Sequence, residues 1–540
     1  MQVNYRYQGK SHASENGLSF APDSLRPPAF FVGELKQKLA FREAISALHN
    51  VVVSDMRFKP KDRTAYFTWL AGEEQRLLAE FIAQKSHLQQ EVAEVSGQLK
   101  ALNTEAVKIL APYNRAQKAY FDYLYKENID AWYVLDPVIT VHPDEVFFEC
   151  FSEDESSYGK LSCHYDVFEN VSDQAFGTTN IDYSEGLYQA FQKIRDYRHT
   201  QLKIDPDGFA LRTDGIDCEE KKIDLPDSWV RGFLQVSSAM TLPMVKFTLQ
   251  PMDIHNICFT LRRKKERGGP RALRFELTPG QPVKIIFEPW NETLVCPRSL
   301  YQGDTPRVIR VWGRRRLHIL ERLIPVANKF DVCLLDDGMP SFWIADLGAM
   351  SFTLGLSGWS ANDWSAQGNF DLLAPRQEVD STTLARVYQA LAARHLATSG
   401  QLAAELGLEE SVVKAALMGY SQHGQVLYDL DKDLWRIRAL CREPIPLEQV
   451  RFSHKREEKA FNFVMAGLVT VERCQANANG AEIHGAVLDN AVRYPVSLTL
   501  DGDQRLISAE CGCYYFHQNR LRRGPCEHML ALRQAAKVKA

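Results

Sequence analysis

Near the C-terminus, three cysteines and a histidine fall in two close pairs, Cys511-Gly512-Cys513 and, after twelve residues, Cys526-Glu527-His528. Three thiols and an imidazole are the soft and borderline donors that suit zinc, and four such groups fill a tetrahedral shell. Their spacing demands turns. On a flat strand, residues two apart point the same way, yet their sulfurs lie too far apart to share one ion easily. The first pair therefore needs a tight bend, for which Gly512 offers a permissive backbone. Pro525 suits a helix start and MLALRQAAK continues the helix. Cys526 and His528 would then sit in a first turn, where the helix N-terminus favours a thiolate. His517 and Cys474 are the alternative ligands. With all four positions filled by protein groups, the expected zinc site is closed; it folds a module and performs no chemistry.

Between the pairs lie Tyr514, Tyr515, Arg520, Arg522 and Arg523, aromatics that could stack on bases beside arginines that could meet phosphates. From 511 to 540 six Lys or Arg stand against one acidic residue, Glu527. The chain as a whole carries a net charge of −4 from 64 basic and 68 acidic residues, so affinity for a polyanion has to come from such a local patch. These five residues are the expected contact surface for nucleic acid or an acidic protein partner. The plainer alternative is aromatics packed around the zinc and arginines that are merely solvated.

The Cys-x-Cys–x12–Cys-x-His pattern, preceded by a β-rich stretch and followed by a helix, resembles the SWIM zinc-finger family, which also occurs in some chromatin-remodelling ATPases and Mutator-type transposases. The motif covers only the C-terminal module, 456–540, and carries the ligands over as Cys511, Cys513, Cys526 and His528. The stretches FAPDSLRPPAFFVGEL, VVVSDMRFKPKDRTAY and FTLGLSGWSANDW extend the likeness to bacterial proteins described as SWIM zinc-finger family proteins. The resemblance implies a DNA-binding or protein-interaction role. It also implies, as partners, MoxR-type AAA+ ATPases or von Willebrand A proteins.

The elements that must position this module read as a multidomain α+β chain. Residues 1–64 form an α+β lead-in. Residues 65–130 read as a helical hairpin with a coiled-coil-like arm, its seam running from Phe81 to Ile109 in steps of four and three. Both an intramolecular bundle and a homodimer zipper fit that seam. Residues 131–380 form a mixed β-rich domain of unknown role, with strand-like stretches ITVHPDEVFFECF, HNICFTL, ALRFEL and VKIIFEPW and helical patterns at 183–196 and 315–324. Residues 381–440 give helix, helix, Gly407 turn, helix and hairpin, the order of a winged helix-turn-helix. After a linker over 441–455, strands near 467–474, 481–487, 494–500 and 504–510 lead into the cysteines of a small ββα-like zinc module.

Charge argues against the winged helix as a DNA reader. Its third helix holds Glu409 and Glu410 against Lys414, and the wing sets Asp429, Asp431 and Asp433 against Lys432, Arg436 and Arg438. Protein interaction or domain packing is the favoured role. Two further basic runs, Arg262–Arg267 at an expected hairpin tip and Arg314–Arg316, read as solvated faces.

Catalytic signals are sparse: there is no Walker A sequence, GxSxG or HExxH. Asp336-Asp337-Gly338 reads as a turn, and Cys163-His164 adjacency does not make a dyad. Neither a secretory leader nor a membrane-spanning run is visible, and eight of the eleven cysteines are scattered singles, so the expected setting is the cytoplasm. The expectation is a non-catalytic adaptor. A sequence-specific DNA-binding regulator and an enzyme hidden in 131–380 are the alternatives.

Overall fold

Period-two alternation in two neighbouring strands sets the architecture. In Glu145–Phe151 and Ser157–His164, Val146, Phe148 and Cys150 alternate with Glu145, Phe147 and Glu149, and both faces are buried. The computed structural model describes residues 12–14, 17–20, 29–54, 137–171, 174–180, 191–192, 194–197, 200–204, 227–265, 270–335, 340–358, 364, 379–440, 455–477, 480–501, 506–521 and 524–539. The expected arm over 65–130, most of the helical pattern at 183–196, Asp336-Asp337-Gly338, and Arg522 and Arg523 lie outside them.

The described helices are α1 (Lys38–Val52), α2 (Asp227–Met240), α3 (Pro251–Arg263), α4 (Ser381–Arg394), α5 (Ser399–Leu406), α6 (Glu410–Gln422), α7 (Lys455–Met465), α8 (Tyr514–Asn519) and α9 (Glu527–Lys539), with 3-10 helices at Tyr165–Val167 and Arg314–Leu323. The fold mixes these with several antiparallel sheets, as an α+β chain should. The largest sheet runs, in spatial order, Val245–Leu249, Lys329–Leu334, Ser341–Asp346, Met350–Leu356, Ser157–His164, Glu145–Phe151, Val138–Val141 and Gly177–Asn180. A smaller one combines Phe30–Leu35 and Gln201–Ile204 with short N-terminal strands, so the lead-in shares the central core: Phe31, Phe41 and Leu48 pack in it with Phe148 and Phe352. A four-stranded sheet holds Leu273–Leu277 between Pro282–Phe287 and Arg307–Val311, with Glu292–Leu300 at one edge.

Helix α1 covers one face of the large sheet with Leu48 and Val51. It sits so close that a Cβ on Gly159 would lie 3.0 Å from Val51 and 3.2 Å from Leu48. The other face carries Glu145, Glu149, Tyr158 and Lys160, all buried. These meet α2 and the hairpin Val426–Asp429/Leu434–Ile437.

That contact decides the fate of the wing charges. Arg436, fully buried, reaches Asp429 at 2.8 Å, Asp144 at 2.7 Å and Glu145 at 3.1 Å. Lys432 pairs with Glu145 at 2.6 Å and Lys160 with Asp429 at 3.0 Å. Arg438 faces Glu149 at 3.4 Å and donates to Ser237 Oγ at 2.9 Å. Burial alone would raise the Asp429 pKa, but Lys160 and Arg436 bring it well below the usual carboxylate range. The hairpin cations are thus consumed inside the protein. A third, two-residue strand, Leu396–Ala397, pairs with Leu434–Ile437, and a separate small core gathers Val387, Leu402, Val413, Leu417 and Trp435.

Two sequence expectations are corrected here. HNICFTL, expected as strand, lies in α3. Pro251 starts that helix, the Gln250 N–H donates to Asp253 Oδ2 at 2.9 Å, and Ile254, Ile257, Cys258 and Leu261 form one buried stripe. Arg262 and Arg263 therefore end a helix rather than tip a hairpin, a place where cations meet the negative pole. The Arg314–Arg316 run is not a solvated face either. Arg314 donates to the Ala272 carbonyl at 2.7 Å, and Arg316 forms a buried pair with Asp154 at 2.8 Å. Cys163 and His164 behave as expected of neighbours on a strand: Cys163 is buried, whereas His164 is partly exposed and faces Asp166 at 3.1 Å.

Candidate metal centre

The C-terminal module is built on an antiparallel meander of Val469–Asn477, Gly480–Asp489, Val492–Asp501 and Leu506–Cys511, larger than a ββα unit. Helices α7 and α9 cover one face through Ala460, Met529, Leu532 and Ala536, packed on Ile483, Val487, Val496 and Leu498. Gly485 permits this: a Cβ there would lie 2.5 Å from Leu532 and 2.2 Å from the Thr470 carbonyl oxygen. Helix α7 starts at the last residue of the expected linker and fills the stretch before the first expected strand, where no element was expected; the rest of that linker, 441–454, lies outside the described residues. The charged first turn of α7, with Glu457 and Glu458 at the positive pole, was the available signal. Glu457 also anchors the module through Arg231 of α2 at 3.3 Å.

Each ligand candidate is placed by an element end. Cys511 closes the last strand, Cys513 caps α8 and accepts from the Phe516 N–H at 3.4 Å, Cys526 immediately precedes α9, and His528 lies in its first turn. One donor atom from each of the four lies within 4.8 Å of all the others. Cys511 Sγ and His528 Nδ1 are 3.6 Å apart. Relative exposures are 6%, 5%, 0% and 1% for Cys511, Cys513, Cys526 and His528. None of the three cysteines is in a disulfide. The group can therefore hold a metal ion. His517 and Cys474 are exposed and stand outside it.

Hydrogen bonding to Cys511 and burial push the Cys526 thiol up to about 12, and burial raises Cys513. Burial opposes protonating His528, but hydrogen bonding to Cys526 and Asp489 outweighs it, so its pKa lies above the usual histidine value. A divalent cation binds such a group by displacing protons from its thiols, because the metal takes the thiolate form.

Sequence reasoning missed the groups that orient His528. Its Nε2 faces Asp489 Oδ2 at 3.3 Å, leaving Nδ1 toward the sulfurs, the arrangement in which a carboxylate fixes a metal-binding imidazole. The ring also stacks on Tyr494 at 4.5 Å and 14° and on Phe463 at 5.5 Å and 30°. Asp489 opens a two-residue hairpin turn, with Asn490 and Ala491 at φ 49° and 65°. In the sequence it is an ordinary turn aspartate. The role given to Gly512 is corrected: its φ is not in the left-handed region, and a Cβ there would meet nothing.

The expected contact residues separate. Tyr514 is 78% exposed. Tyr515 is half-buried beneath Arg456, whose guanidinium lies 4.5 Å from the ring centroid and donates to the Pro525 carbonyl at 2.9 Å. Arg520 is exposed, over the ring of Phe516 at 5.2 Å. Both readings of this stretch are thus partly realised, since some aromatics pack and Tyr514 does not.

No family model matches the chain, and no curated protein matches it. Among solved structures, Proliferating Cellular Nuclear Antigen from Entamoeba histolytica is similar at 12% identity over 44% of this chain and 94% of that one. Its TM-score of 0.30 is too low to bear on function. Among the described residues, no helix is long and apolar enough to cross a membrane.

Proposed function

We propose that this chain is a non-catalytic adaptor whose C-terminal SWIM-like module folds around zinc and presents Tyr514, Arg520, Arg522 and Arg523 to nucleic acid. The supporting observation is the donor set: three cysteines and a histidine, all buried, converge, and four protein donors are the number that fills a tetrahedral zinc shell. Structural zinc in such sites contributes about 10–16 kcal/mol of folding free energy in small peptides, enough to make a module of this size metal-dependent. The exposed edge beside the site, Tyr514 with Arg520, has the stacking and cationic chemistry that single-stranded nucleic acid needs.

The helix, strand, helix, helix, hairpin order over 381–440 supports a winged-helix reading. Its wing cations are bound by Asp144, Glu145 and Glu149, however, so we assign it to packing rather than to base reading. This disfavours the sequence-specific regulator. A cytoplasmic setting suits free thiols. A MoxR-type AAA+ ATPase or von Willebrand A protein is the partner class that the family likeness brings to this proposal.

The test pairs metal analysis with salt-titrated binding to single- and double-stranded DNA and to RNA, comparing the natural chain with Arg520→Ala/Arg522→Ala/Arg523→Ala. Binding should weaken, and the slope of log affinity against log salt should drop by about 2–3, with zinc content unchanged. Zinc without binding to any nucleic acid would replace this reading with the protein-adaptor one. Absence of zinc from protein prepared without chelator would overturn the module itself.

A further inference from the structure

A second group of metal-ligating side chains lies far from the C-terminal module, between α3 and the 3-10 helix Arg314–Leu323. Cys258 sits on the buried stripe of α3 and is fully buried; its thiol donates to the Leu317 carbonyl at 3.5 Å. Opposite it, the 3-10 helix turns every three residues, which brings His318 and Glu321 onto one face. His318 Nδ1 and Glu321 Oε1 are 2.9 Å apart. One donor atom from each of Cys258, His318 and Glu321 lies within 4.8 Å of the other two. The two 3-10 side chains remain 29% and 26% exposed, so solvent reaches the group from one side.

We propose that Cys258, His318 and Glu321 form a second binding site, for a divalent transition metal of the zinc or cobalt type, with three protein ligands and one position open to water. The donor set is mixed: a thiolate and an imidazole exclude the hard cations calcium and magnesium, and the carboxylate is a common third ligand for zinc. One thiolate and one carboxylate balance a divalent ion among the ligands themselves, with the Arg262 cation outside them on the carboxylate. Binding exchanges one proton for the metal: the S–H bond of Cys258 breaks, the sulfur–metal bond forms, and the proton leaves to solvent. In the metal-free state burial and the neighbouring Glu321 hold that thiol protonated.

Arg262, one turn beyond Cys258 on α3, donates to Glu321 Oε2 at 3.2 Å. Oε1, which faces His318 Nδ1 at 2.9 Å, is then the oxygen turned into the group, and Arg262 is the outer group that aims the carboxylate, the part Asp489 plays for His528. The open fourth position distinguishes this site from the closed C-terminal one. Three protein ligands plus water is the arrangement that accepts an exchangeable small anion or thiol.

The experiment uses the full chain, stripped of metal under reducing conditions and titrated with Co2+, followed by absorbance and by bound metal per chain after desalting. The natural chain should take one equivalent beyond that held by the C-terminal group. Cys258→Ala and His318→Ala should each lose that one equivalent, and Cys258→Ala should lose one thiolate's share of the sulfur-to-cobalt charge-transfer band. Because Cys258 is buried, Cys258→Ala could disturb folding; His318→Ala changes a partly exposed side chain and decides the matter in that event. Cys526→Ser should remove only the C-terminal equivalent, so failure of that site and failure of this one are read separately. Metal content and spectra of His318→Ala equal to those of the natural chain would overturn the proposal.

Discussion

Replacing Asp489 by Ala probes whether the metal centre is as organised as its geometry indicates. The Asp489 carboxylate holds the Nε2–H of His528 at 3.3 Å and so leaves Nδ1 to face Cys511 Sγ at 3.6 Å. Removing a carboxylate of this kind typically costs 10- to 100-fold in metal affinity. Two features place this case at the lower end. The contact is long, and the Asp489 side chain is 24% exposed, so water can take over part of its role. The ring also keeps its stacking on Tyr494 and Phe463. The expectation is a loss of about tenfold, or about 1.4 kcal/mol. A chromophoric chelator competing for zinc gives the affinity directly. Thermal unfolding of the module at fixed excess free metal should show the same loss of stabilisation, because ligand binding to the native state sets that term. Glu482→Ala, on an exposed position of the same sheet, serves as the control. An affinity for Asp489→Ala within about twofold of the control would refute the reasoning that Asp489 orients His528.

Arg436→Met leaves Asp429, Glu145 and Asp144 short of a cation in a buried setting, and should destabilise the chain by about 3–5 kcal/mol in urea unfolding; a loss under about 1 kcal/mol, the range of exposed pairs, would mean the network contributes little. Acid should weaken the fold through His142, which burial and Arg436 lower to about 3. Its Nε2–H donates to the Ile437 carbonyl at 2.6 Å, while Nδ1 faces Arg436 Nη1 at 3.4 Å. Because the folded value lies below the unfolded one, the unfolded chain takes up a proton that the folded chain refuses. Stability is therefore complete above about pH 6.5 and falls as pH drops toward 3, by up to about 1.4 kcal/mol per pH unit. His142→Gln should flatten that slope in unfolding measured from pH 7 to 4, and an unchanged slope would count against it.

Much of the chain was legible without coordinates wherever local rules govern. Strands expected near 481–487 and 494–500 occur at Gly480–Asp489 and Val492–Asp501, because alternation and turn residues act within a few positions. The helices and hairpin over 381–440 follow capping and glycine signals: Thr398 accepts from the Gln401 N–H, and Gly407 ends α5 in the left-handed region. The stretch HNICFTL failed by the same logic. Over seven residues, Ile257, Cys258 and Leu261 fit a strand or a helix, and only the preceding Pro251 and Asp253 separate the two.

By itself the sequence determined the donor set of the candidate metal centre, since thiols and imidazole in two tight pairs are covalently close before any folding occurs. Only the tertiary structure decided what surrounds them. Asp489, 39 residues before His528, reaches it because the strand it ends lies beneath α9. Lys432, Arg436 and Arg438, which read as wing charges serving either protein interaction or domain packing, meet Asp144, Glu145 and Glu149 nearly three hundred residues away. The reason is physical: a donor's chemistry belongs to its side chain, whereas the fate of a charge depends on what the fold brings within a few ångströms, and on whether water is left there to screen it.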